Sequence, residues 1–124
     1  MSERKQALVE LRDQVKAGDF PTTWEKINKA GLAHNSHGLD MRGLAWDAFN
    51  GSLNAAKALH EAVLPEWTLD EFGQRAGGWI ATLGRQDGLT PRPAPRAMVR
   101  DNPARAWLIA ILEALIVKEN ADDK

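Results

Sequence analysis

Cysteine and tyrosine are both missing from this 124-residue sequence. Without cysteine the chain can form no disulfide, no thiolate nucleophile and no cysteine-type zinc site. Such usage fits a reducing cytoplasm. An excess of either charge is missing too. Sixteen Lys and Arg face seventeen Asp and Glu, a formal net charge of −1, so the molecule as a whole is not drawn to nucleic acid or anionic lipid. Sequence-specific nucleic-acid binding is not expected. The longest apolar run, residues 106–117, is interrupted by Glu113 and falls short of the ~20 residues that cross a bilayer. The charged start, Met1-Ser-Glu-Arg-Lys-Gln6, lacks the apolar stretch of a secretory signal. These absences predict a soluble, cytoplasmic protein with no membrane partner.

The signatures of common active sites are lacking as well. Gly73, Gly77, Gly78, Gly84 and Gly88 read as turn residues, without a Walker Lys-Ser/Thr or a strand-to-helix setting for a dinucleotide. No serine lies in a Gly-x-Ser-x-Gly elbow. No cofactor and no catalytic residue is expected, and an enzyme is the least favoured class.

What is present is a 44% apolar chain of one-domain length. An N-terminal helical part, about residues 1–32, opens with a helix that Ser2 can cap and that runs to about Ala17. Leu8, Leu11 and Val15 share one of its faces. Gly18 suits its C′ position. Thr22-x-x-Glu25 has the form of a capping box for a second helix, ended by Gly31. Residues 33–43 read as a polar loop. Residues 44–49 suit either a strand or a helical turn. Ser52 caps a helix to about Leu64, with Leu53, Ala56, Leu59 and Val63 as its buried stripe. Residues 67–72 and 79–83 then form a hairpin around a turn at 74–78, and a third strand around 97–99 is open.

Pro91, Pro93 and Pro95 make an extended connection. Asp101 or Asn102 can cap the last helix, which Pro103 enters and which runs to about Lys118 before a frayed tail, 119–124. Its apolar residues, Trp107 to Ile116, span well over half its circumference, so it must be covered on more than one side. The fold class predicted is α+β: helices packed with a small antiparallel sheet of two or three strands. Residues 44–118 form the helix–hairpin–helix core, and the wide apolar arc motivates a homo-oligomer.

Residues 74–105 hold the strongest charge bias. Arg75, Arg85, Arg92, Arg96, Arg100 and Arg105 oppose only Asp87 and Asp101. The plainer reading is a solvated connection that balances an acidic remainder. The sharper one is an anion grip, since arginine is the better fork for phosphate and carboxylate, with Trp67 or Trp79 stacking beside it. Trp24, Trp46, Trp67, Trp79 and Trp107 are expected mainly in the core, and Trp67 with Trp79 is expected to pair across the hairpin. His34, His37 and Asp40 have metal-ligand types at short spacing but sit in a segment that reads as solvated. His60 and Glu61 point about 100° apart on a helix, and a surface position explains both.

Ser52-Leu-Asn-Ala-Ala-Lys-Ala-Leu59, Leu64-Pro-Glu-Trp67, the hairpin with Trp79-Ile-Ala81 and Asn102-Pro-Ala-Arg-Ala-Trp-Leu-Ile-Ala-Ile-Leu-Glu-Ala-Leu115 occur in this order. Together they resemble the bacteriophage ABA-sandwich domain family, over about residues 51–116. The chain departs from that pattern at Asn54 (usually Asp), Glu66 (usually Gly) and Asn102 (usually Thr). The resemblance implies helices packed on a small sheet, a phage or prophage origin and thus a bacterial cytoplasm, and no chemistry. The expected function is that of a non-enzymatic phage accessory protein that binds a host or phage protein or a small phosphate-bearing ligand. The alternative is a structural, morphogenetic component of the virion.

Overall fold

A computed structural model describes residues 3–21, 25–32, 40–88 and 94–122. The elements are α1 (Glu3–Lys16), α2 (Glu25–Lys29), α3 (Met41–Phe49), α4 (Leu53–Val63), β1 (Trp67–Arg75), β2 (Gly78–Arg85), β3 (Arg96–Val99) and α5 (Pro103–Asp122). Local chemistry explains where the helices stop. After α1, Gly18 takes φ 85°, its N–H reaches the Val15 carbonyl and the Asp19 N–H reaches that of Gln14. This satisfies two carbonyls that the helix leaves without partners. Gly31 and Gly51 close α2 and α3 with the same pair of bonds. The starts are capped as well: Asp40 accepts from the N–H groups of Arg42 and Gly43, Ser52 from Ala55 and Asn102 from Arg105.

Several expectations need correction. The segment 44–49 is helical, and its helix begins inside the expected loop because Asp40 caps it there. In α4 the buried line is Ala55, Ala56, Leu59 and His60. Leu53 is 42% exposed, because helical side chains lean toward the N-terminus and this first residue leans past the end of the helix. The hairpin strands are longer than their apolar cores, leaving only Ala76 and Gly77 to turn. The expected frayed tail is helical to Asp122, and Glu119 is anchored by Arg4 at 3.1 Å. Ser2, the Thr22 capping box and Trp24 lie outside the described residues.

The fold is α+β. Its sheet is antiparallel in the order β1-β2-β3, with a bulge between Leu69 and Glu71. Helix α5 runs through the core, flanked by α1, α3 and α4 and by β2 and β3. Leu108, Ile109, Ile111, Leu112 and Leu115 are each 2% exposed or less. At roughly 1.5–3 kcal/mol per buried large side chain, this helix dominates stability. The arc is covered within one chain, so it does not itself call for a second subunit. Among the described residues no helix is long and apolar enough to cross a membrane.

Candidate functional site

Strand β3 is short and lies at an edge of the sheet. Its register with β2 pairs Ala97 with Ala81 and Val99 with Trp79, and the Leu83 N–H donates to the Pro95 carbonyl at 2.9 Å. Antiparallel ladders alternate, so Pro95, Ala97 and Val99 turn their main-chain groups toward β2. Arg96 and Met98 turn theirs outward, and no described residue hydrogen-bonds to them. Their side chains are exposed, whereas Ala97 is buried against α5.

A groove of about 470 Å³ follows this outer edge. The end of α1 supplies Val15 and Lys16, the strand supplies Arg96 to Arg100, and α5 supplies Arg105 and Ile109. Among the described residues four cations line it and no carboxylate does. Lys16, Arg96 and Arg100 make no ion pair with any described residue. Arg105 is held differently. Its Nε donates to the Phe49 carbonyl at 3.2 Å and its guanidinium lies 4.0 Å over the Phe49 ring.

The groove gathers only part of the arginine segment. Arg75 stands at the turn end of the hairpin and pairs with Glu71 at 2.8 Å. Arg85 is at the opposite end of β2, paired with Asp87 at 2.6 Å. Arg92 lies outside the described residues. Neither tryptophan lines the groove. Trp67 opposes Arg85 and Trp79 opposes Gln74, so the two are at opposite ends of the hairpin and do not pair. Trp79 instead packs on Phe72, centroids 6.1 Å apart. Lys16 was missed in sequence, where nothing in the last turn of α1 signals that it meets a strand 80 residues further on.

A second cavity, about 380 Å³, is lined by His60, Glu61, Trp67 and Trp107 among others. His60 was expected at the surface but is buried. Its Nε2–H donates to the Trp67 carbonyl at 2.8 Å and its Nδ1 accepts from the Trp107 indole at 3.0 Å. With both nitrogens engaged, the ring is a poor proton shuttle and a poor metal ligand. Exposed Glu61 faces Lys57 at 4.0 Å. His34 and His37 lie outside the described residues, while Asp40 caps α3 and pairs with Arg42. No group of three His, Asp or Glu suited to a metal occurs among the described residues.

The chain matches no family model, no curated protein and no solved structure.

Proposed function

We propose that this protein is a binding module that recognises anionic groups through the groove beside β3. One observation carries the reading: Lys16, Arg96, Arg100 and Arg105 line it with no carboxylate among the described residues, in a chain whose net charge is −1. Like charges raise one another's energy, and a local excess of this kind is relieved by an anionic partner. Arginine contributes planar, two-toothed contacts to phosphate or carboxylate. A hydrogen bond to a charged group contributes about 1.5–3 kcal/mol, or at least tenfold in affinity. The order of motifs over residues 51–116 supports a phage or prophage accessory protein as the biological setting.

Isothermal titration with inorganic pyrophosphate and with an acidic peptide tests the groove. The expected result is salt-sensitive binding of at least one probe, lost in Arg96→Glu/Arg100→Glu. Affinity unchanged by that double substitution would remove the groove from consideration.

A further inference from the structure

We propose that the occupant of this groove is an acidic, extended segment of another protein, added to β3 as a fourth strand. This presupposes that the groove binds anions and goes further by naming what brings them. Three features select a strand over a compact phosphate. First, the outer edge of β3 offers the N–H and C=O groups of Arg96 and Met98, to which no described residue hydrogen-bonds. An added strand satisfies such groups. Second, Arg96 and Arg100 are four residues apart along the chain. Arg96 lies in the strand and Arg100 just past its end, so an extended segment running along β3 and a little beyond meets the two cations in turn. Third, Met98 lies between the two arginines and is 46% exposed, while Val15 and Ile109 line the helix side of the groove. A strand paired here therefore meets charge, an apolar side chain and charge again on one face, and apolar contacts with Lys16 on the other.

The recognition pattern that follows is acidic–x–apolar–x–acidic, with Asp or Glu opposite the arginines and an apolar residue opposite Met98. A second copy of this chain is a poor occupant of the same edge. Antiparallel pairing of two β3 strands would bring Arg96 and Arg100 of each against those of the other, and like charges directly opposite destabilise a sheet.

The test uses the full chain and a nine-residue peptide carrying the pattern Glu-Thr-Leu-Thr-Glu at its centre. It is compared with the same peptide N-methylated at its edge-facing amides, and with inorganic pyrophosphate. Strand addition predicts peptide binding, protection of the Arg96 and Met98 amides from hydrogen exchange, and a loss of tenfold or more on N-methylation. Met98→Pro should weaken the peptide likewise, because it removes an outward N–H that an added strand would use and that is not part of the β2–β3 ladder. Equal affinity for the N-methylated peptide, without amide protection, overturns strand addition while leaving an anion-binding groove. Pyrophosphate binding without peptide binding also overturns it, in favour of a small phosphate ligand. If neither probe binds, the groove is not an anion site at all.

Discussion

The Trp107 indole N–H donates to Nδ1 of His60 across 3.0 Å. Because that nitrogen accepts, the ring proton of the neutral imidazole sits on Nε2, where it donates to the Trp67 carbonyl at 2.8 Å. A single side chain thereby ties α4 to α5 and to the first residue of β1. Replacement by phenylalanine preserves much of the volume but leaves an indole N–H and a carbonyl without their partner. His60→Phe is expected to cost about 1–3 kcal/mol, read by urea denaturation. Nitrogen chemical shifts of the His60 ring should report the Nε2–H tautomer at neutral pH. An unchanged stability, or the other tautomer, would show that the bridge does not form.

Arg105 has two duties that can be separated. It covers the Phe49 ring and bonds to the Phe49 carbonyl, joining the start of α5 to the end of α3, and it also lines the basic groove. Arg105→Ala is expected to lower stability by about 1–2 kcal/mol and to weaken anion binding. Arg96→Ala, on an exposed residue without an ion pair among the described residues, should weaken binding alone. Thermal midpoints beside titrations with pyrophosphate or the acidic peptide distinguish the two patterns.

Gly78 cannot become alanine without moving the neighbouring chain. A Cβ there would lie 2.6 Å from the Val99 carbonyl oxygen and 2.6 Å from the Arg100 Cα, and its φ of 136° suits only glycine. Gly78→Ala should destabilise by about 3 kcal/mol or more. Because the displaced atoms belong to β3 and its exit, ligand affinity should fall with it. Chemical denaturation and titration of the same variant check both effects.

Asp40 sets an acid-sensitive element. Its hydrogen bond with the Arg42 side chain, above all, and its bonds to the Arg42 and Gly43 amides hold its carboxyl below the usual value. A carboxyl depressed by folding stabilises above its unfolded pKa, and that contribution disappears as pH falls through the folded one. The stabilisation should therefore be complete at neutral pH and fade below about pH 4. Asp40→Asn retains a capping side chain but does not titrate. The gap in thermal midpoint between it and the parent protein should close as pH falls; a gap constant from neutral to strongly acid pH would contradict this.

Much of the secondary structure was legible in sequence. Gly18 and Gly31 follow helices because a left-handed residue satisfies the last carbonyls, and Ser52 and Asn102 precede helices because their side chains satisfy the first amides. These are short-range effects, written in neighbouring residues. The segment 44–49 was ambiguous since six apolar-rich residues carry too little periodicity, and the cap that decides it, Asp40, was assigned to the loop before it. Strand ends were misjudged where polar residues such as Gln74 and Arg75 are paired by the ladder rather than by burial.

The candidate site was legible only in its ingredients. A surplus of arginine between 74 and 105 can be counted in the chain, yet the register of β1 on β2 sends Arg75 and Arg85 to opposite ends of the hairpin. Packing of α1 beside α5 then brings Lys16 to Arg96, Arg100 and Arg105. His60 likewise reads as one polar residue on a helix until β1 and α5 close over it and supply an acceptor and a donor. Local hydrogen bonding and apolar periodicity determined the helices and the dominance of α5. Which charges share a groove, and which are neutralised by a neighbour, was decided by long-range packing, because electrostatic meaning depends on distances that sequence separation does not encode.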